Sequence, residues 1–306
     1  MLDEQTAALW ETIRAAGAPR VDESTPADAR AAMRARQAGN PPGPELPRVT
    51  DVAIARNDGS ALDARVYFPD EPVGILIFCH GGGWVLGDID GFDAYARRLA
   101  DRLRLVVVSL DYRLAPEHRF PAAVDDAWLT LAWAAGERGR ALPSLPLLVG
   151  GDSAGGNLAA VIAQDARGRG VEVAAQILIY PVIDARFDRS SYEEPENQLL
   201  VDGRLMRWFW DQYVPNVADR EDPRVAPILG YLDGLPPALV ATAEHDPLRD
   251  EGEEYARALA SAGVRVSARR FEGQMHGFAT MPQLPQSGAL IDYIAEFLRS
   301  VLPAAR

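Results

Sequence analysis

Gly151-Asp152-Ser153-Ala154-Gly155-Gly156 lies between two apolar runs of different habit. Before it, Leu145-Pro-Leu-Leu-Val149 reads as a short buried strand. After it, Asn157 to Arg167, rich in Ala, Leu, Val and Ile, reads as a helix. A Gly-x-Ser-x-Gly wedged between strand and helix is a nucleophile elbow: the turn is so sharp that glycine is needed two residues either side of the serine, and the hydroxyl is pushed out above the sheet. Glycine-rich turns around a serine also serve as plain strand–helix connections. The chemistry therefore depends on whether the chain supplies a base, an orienting acid and an oxyanion loop elsewhere.

Outward from the elbow, apolar runs alternate with helical stretches. Val49–Arg56 and Leu62–Phe68 read as a hairpin turning at Asn57-Asp58-Gly59. Further strands are expected at Gly74–Cys79, Leu105–Leu110, Leu145–Gly150, Ala175–Tyr180, Ala238–Ala243 and Val264–Arg270. Helices fall near Gly91–Arg102, Pro121–Ala135, Ala154–Arg167, Glu251–Ala262 and Gly288–Val301. Uninterrupted apolar strands separated by helices imply an α/β fold with a mostly parallel eight-stranded sheet covered on both faces. The alternation breaks after Ile183, where a Glu/Pro loop precedes the aromatic run Leu205-Met-Arg-Trp-Phe-Trp-Asp-Gln-Tyr213. Residues 184–225 read as an insertion above the carboxyl ends of the strands, packing as a lid with the N-terminal helices of residues 1–48; residues 49–306 form the catalytic domain. The N-terminal part carries Leu2, Leu9 and Ile13 on one face and an alanine- and arginine-rich stretch from Ala27 to Arg36, closed by Gly39-Asn-Pro-Pro-Gly-Pro44.

Composition narrows the chemistry. The 306 residues are 48% hydrophobic and 25% charged, as in ordinary globular domains. A net charge of −13 disfavours nucleic acid and anionic membrane surfaces as partners. All 31 basic residues are arginine, which excludes a Schiff-base lysine, a phosphate-loop lysine and a Ser-Lys dyad. The single cysteine, Cys79, permits no intramolecular disulfide and reads as a buried thiol. Four histidines in no His-x-x-x-His pair leave little for a metal site. Acids in Met1-Leu-Asp-Glu4, where a secretory leader carries positive charge, and the lack of an apolar run of ~20 residues point to a cytoplasmic protein.

Hydrolases built on this elbow take their partners in the chain order serine, acid, histidine, each at the tip of a later strand. Asp246 follows one strand and His276 the next, and both loops are expected at the same sheet edge as Ser153. Glu244 lies too close to the strand end, and Asp250 resembles a helix cap. Asp246 before Pro247 also suits an Asx-turn, and His276 an exposed loop. His245 points elsewhere if Asp246 is the acid, and His118 reads as structural. His80-Gly81-Gly82-Gly83-Trp84 follows the strand ending at Cys79, and its glycines free backbone N–H groups to face a developing oxyanion. A dinucleotide loop is disfavoured, because Leu86 stands where its last glycine belongs.

These residues resemble the hormone-sensitive-lipase-like esterases, a branch of the α/β-hydrolases that includes many microbial carboxylesterases. The resemblance rests on His80-Gly-Gly-Gly-Trp84, Asp111-Tyr-Arg-Leu-Ala-Pro-Glu117 with Phe120-Pro121, Gly151-Asp-Ser-Ala-Gly-Gly156, Asp246-Pro-Leu-Arg-Asp250 and His276-Gly-Phe278, and covers about residues 49 to 303. It implies Ser153 as nucleophile, His276 as base and Asp246 as orienting acid. Gly82, Gly83 and Ala154 would then be the oxyanion donors, with Gly81 as a further candidate. It also implies acyl transfer through an acyl-enzyme without a cofactor, on a small-molecule ester of short to medium acyl length. Trp84 and Trp208 are candidate substrate contacts, although an aromatic stripe on a helix more often packs. Amidase, deacetylase and lactone hydrolase remain open on the same triad. A non-catalytic role, as in plant gibberellin receptors, is disfavoured because those have lost the triad histidine. Val264–Arg270, as a possible sheet edge, leaves a homodimer open.

Overall fold

The structure is a computed structural model and describes residues 1–303. Among the described residues eight strands form one sheet in the order β1-β2-β4-β3-β5-β6-β7-β8. The outer hairpin is β1 (Arg48–Ala55) and β2 (Ala61–Phe68); then come β3 (Gly74–Cys79), β4 (Leu105–Leu110), β5 (Leu147–Asp152), β6 (Ala175–Ile179), β7 (Ala238–His245) and β8 (Val266–Met275). β2 pairs antiparallel with β1 and with β4, and the remaining ladders are parallel.

Period-2 alternation explains both faces. From β3, Ile75, Ile77 and Cys79 join one core with α4 (Ala122–Glu137), α5 (Ala154–Gly168) and α8 (Arg249–Ser261). Leu76 and Phe78 join the other with α3 (Ile89–Leu103) and α9 (Pro285–Val301). A strand covered on both sides is mostly apolar, and every residue of β3 and β4 is buried, with Ser109 the polar exception. Each fully buried Leu, Ile or Val contributes about 1.5–3 kcal/mol, so the sheet and its helices make a rigid frame.

The N-terminal helices α1 (Glu4–Ala15) and α2 (Pro26–Gln37) lie outside this frame. Between β6 and β7 the chain leaves the sheet for a short helix, α6 (Ser190–Glu193), and for α7 (Gly203–Tyr213). The N-terminal part touches this segment through Arg20, whose guanidinium donates to Asp202 at 2.7 Å, and through Arg204, which pairs with Asp22 at 2.5 Å. No helix among the described residues is long and apolar enough to cross a membrane.

Several strand ends differ from the sequence expectation by one or two residues, and the differences that bear on the site are in β7 and β8. β7 runs on to His245, and β8 begins at Val266 and continues past Arg270 to Met275. A register shift between Ala243 and His245 lets His245 pair with Met275, so the strands stay together almost to the loops that carry Asp246 and His276.

Candidate active site

Ser153 holds a left-handed backbone, φ 57° and ψ −121°, which costs a non-glycine residue free energy and persists because its surroundings over-determine it. Gly151 and Gly155 show why the turn excludes larger residues. A Cβ on Gly151 would meet the Cys79 carbonyl and Gly155, and one on Gly155 would strike the same carbonyl. The Ser153 N–H donates to Ile179 O at 2.9 Å, which fixes the turn to the neighbouring strand.

His276 follows β8 directly, and Asp246 follows β7. The Leu248 N–H donates to Asp246 Oδ1 at 2.9 Å, leaving Oδ2 2.7 Å from His276 Nδ1. His276 Nε2 lies 3.0 Å from Ser153 Oγ. With Nδ1 protonated, the ring donates to Asp246 and offers Nε2 to the serine hydroxyl. Asp246 is fully buried, and Ser153 and His276 are buried. The Tyr180 ring, 4.5 Å from the imidazole between centroids, closes its other side.

The rival carboxylates are occupied. Glu244 accepts the Gly273 N–H at 2.6 Å, and Asp250 accepts the N–H of Ser191 at 2.9 Å. His245 is buried beside Glu244, with both ring nitrogens unpartnered among the described residues. Cys79 is buried, and burial pushes its thiol above the usual range.

The glycine loop arrives beside Ser153 from β3. Gly82 and Gly83 have φ of 120° and 60°, conformations that suit glycine. No described residue takes up the N–H of Gly82 or Gly83, and the Ala154 N–H is one of the free amides at the first turn of α5. Gly81 is a correction to the sequence expectation: its N–H donates to Asp152 Oδ1 at 2.8 Å and is not free for an oxyanion.

A profile described as alpha/beta hydrolase fold matches residues 76–280. The chain belongs to this α/β-hydrolase family. Its motifs place it in the hormone-sensitive-lipase-like branch. It is 43% identical over 255 residues, 79% of this chain and 68% of the relative, to the carboxylic ester hydrolase LipN of Mycobacterium tuberculosis. It is 38% identical over 267 residues, 84% of this chain and 81% of the relative, to an ethyl acetate hydrolase of Pseudomonas putida. Among solved structures, the hyperthermophilic esterase of the archaeon Pyrobaculum calidifontis superposes with a TM-score of 0.89 at 38% identity, covering 98% of each chain.

In this α/β-hydrolase Trp84 is not placed as a substrate contact, which corrects the second sequence expectation. It has φ 59°, is fully buried, and packs against Trp210 and Tyr213 with ring centroids 4.7 and 4.4 Å away. Its position after three glycines made it look available, but α7 covers it. Trp208 is half-buried on the same helix, and Phe209 is the ring that abuts Gly83.

Two buried groups beside the glycine loop have displaced pKa values. Burial raises the Asp152 carboxyl to about 7, against the pull of the Gly81 N–H and of His276. Burial lowers His80 to about 4, keeping it neutral between Phe92 and Tyr112, while its Nδ1 lies 2.8 Å from Gly81 O.

Sequence reasoning missed how the acid loop is fastened. Ser191 of α6 donates its hydroxyl to Pro247 O at 2.6 Å, and Arg249 forks onto Glu194 with two bonds of 2.8 Å. Glu251 is fully buried and accepts from the Ile183 N–H at 2.8 Å and the Tyr192 hydroxyl at 3.1 Å. The charged run Arg249-Asp250-Glu251 was the one visible signal, and it reads equally well as a solvated helix start.

Proposed function

We propose that this chain is a serine carboxylesterase working through Ser153, His276 and Asp246 and an acyl-enzyme on Ser153. Its relatives are carboxylic ester hydrolases, and ester hydrolysis is the activity of this chain. The observation that carries the finer reading is the unbroken hydrogen-bond chain from Asp246 through His276 to the Ser153 hydroxyl, opposite the free amides of Gly82, Gly83 and Ala154.

In the first half-reaction Ser153 Oγ bonds to the ester carbonyl carbon and its proton passes to His276 Nε2. The carbonyl π pair moves onto oxygen, where the amides of Gly82, Gly83 and Ala154 receive the charge. Collapse of this adduct breaks the bond to the alkoxy group, which leaves with the proton from the imidazolium. Water repeats the sequence on the acyl-enzyme and releases the acid. Asp246 stays ionised, holds the tautomer and stabilises the imidazolium. The substrate is read as an ester of short to medium acyl length, with half-buried Trp208 of α7 as the remaining tryptophan candidate, and the similarity to an ethyl acetate hydrolase supports the short end.

A p-nitrophenyl alkylphosphonate tests the reading. Expected is one equivalent of nitrophenol released, complete loss of esterase activity, and the phosphonyl mass on the peptide that carries Ser153. Label on any other residue, or activity that survives full labelling, overturns it.

A further inference from the structure

The oxyanion loop is held on its inner side by the catalytic frame: Asp152 takes the Gly81 N–H, and the Tyr112 hydroxyl donates to His80 O at 2.9 Å. Its outer side is held from outside the frame. Beyond Gly83 the chain passes through Trp84 at φ 59° and Gly87 at φ 94° before α3 begins at Ile89. The Val85 and Leu86 N–H groups close onto Gly82 O at 3.1 and 2.8 Å, and Ala115 N–H closes onto Trp84 O at 2.9 Å. That leaves the carbonyls of Val85 and Ala115, both in fully buried residues, without a backbone donor.

One guanidinium serves both. Arg30 of α2 donates Nε–H to Val85 O at 2.7 Å and an NH2 proton to Ala115 O at 2.7 Å. Glu117 completes the arrangement by accepting both terminal nitrogens, at 2.9 and 2.7 Å. This hydrogen bond to Arg30 is the main reason the Glu117 carboxyl falls to about 2. The guanidinium makes these four bonds from three nitrogens in a fixed plane; an ammonium has three N–H groups, all on one atom, and cannot match them.

We propose that Arg30 is a positioning residue for the oxyanion amides, holding the Gly82–Val85 turn in register with Ser153 through the carbonyls of Val85 and Ala115. The proposal rests on the reading of Gly82 and Gly83 as oxyanion donors. Val85 is two residues from Gly83 and is bonded back to Gly82, so freeing its carbonyl lets the donor amides drift. A drift approaching 1 Å in such a group costs ~100-fold in rate.

The experiment measures kcat and KM of Arg30→Met and Arg30→Lys per phosphonate-titrated site, on an aryl ester and on the matching thionoester, whose sulfur is a poor acceptor for the amides. Expected for Arg30→Met is a kcat lower by ~10- to 100-fold, a KM changed by less than about threefold, and a fall in the ester/thionoester preference. Arg30→Lys is expected to recover little. If Arg30→Met does not fold, Glu117→Gln weakens the fork from its exposed side and is expected to shift the same ratio in the same direction by a smaller factor. An unchanged kcat, or a lower kcat with an unchanged ester/thionoester ratio, overturns the proposal. Failure of Ser153 to take the phosphonate in the unaltered enzyme is a separate result, and counts against the proposed function.

Discussion

The sheet frame and the N-terminal helices are assembled by different physics. α3 buries seven of its fifteen residues and α5 eleven of fifteen. α1 and α2, of twelve residues each, bury one small residue apiece, Thr6 and Ala29. What fastens the N-terminal part is directional and polar: Arg30 on Val85, Ala115 and Glu117, Arg34 on Asp88, Asp3 on Gln274, and Asp22 between Arg20 and Arg204. Burial fixes where the strands go but is tolerant of detail. Hydrogen-bonded pins add little stability but set the angle of whatever they hold. The contrast predicts that chemistry belongs to the frame and adjustment to the pins.

The largest expected effect tests the first half of that contrast. Ser153→Ala should lower kcat on a short-chain aryl ester by roughly a millionfold, with the fold intact by circular dichroism. Retention of even a tenth of the activity would move the chemistry off the frame. Next, Asp246→Asn should cost roughly 10⁴ in kcat, because an amide leaves His276 in the wrong tautomer. Asp250→Asn should cost less than about tenfold, since Asp250 contacts Ser191 and Arg249 rather than the imidazole. The reverse order in steady-state assays would exchange their roles.

The same contrast explains what the chain disclosed before its structure. The frame was legible because strands buried on both faces are mostly apolar, and the elbow because Gly151 and Gly155 leave no room for a side chain. The end of β8 was not. Glu272-Gly-Gln274 reads as a loop, yet Gln274 is fully buried, with Asp3 and Thr6 bonded to its amide. Gly81 and Trp84 were misjudged for a related reason. An amide already spent on Asp152 and an indole already covered by α7 look the same in one dimension as free ones. Arg30 lies 55 residues from its partner Val85 in an arginine-rich helix whose other basic residues could each have been the pin. No local pattern marks such a pairing.

A third prediction concerns the seam where frame and loop meet. Asp152 has a folded-state value of about 7 against 3.8 for the free side chain. Its burial therefore contributes full stability below about 4 and loses it as pH rises towards 7, on the order of 4 kcal/mol as an upper figure at ~1.36 kcal/mol per unit. Asn keeps an acceptor for the Gly81 N–H and has no proton to lose. The melting temperature of Asp152→Asn minus that of the unaltered enzyme should accordingly increase between pH 4.5 and pH 8. His80, lowered to about 4, acts with the opposite sign by destabilising the fold as pH falls from about 6.5, but it is present in both proteins and cancels in the difference. A difference that stays flat or falls with pH would show that Asp152 is ionised throughout and is held by the Gly81 amide more strongly than burial opposes it.

The smallest effect separates the two regions most directly. Asp22 accepts a hydrogen bond from Arg20 at 2.9 Å and forms an ion pair with Arg204 at 2.5 Å, joining the N-terminal segment to α7. Its carboxylate is only 3% exposed, but the two arginines are 43% and 62% exposed, so solvent screens the pairs. Asp22→Ala should cost about 1 kcal/mol at low ionic strength, and much of that cost should vanish in ~1 M NaCl. Leu158→Ala, which opens a cavity under α5 beside Val161 and Ile162, should cost ~2–5 kcal/mol with no relief from salt. Thermal melts of both variants at low and high NaCl check this. A salt-insensitive Asp22→Ala would mean that the helices are docked by packing after all. The loop that Arg30 holds would then be anchored by the helix as a body rather than by its guanidinium.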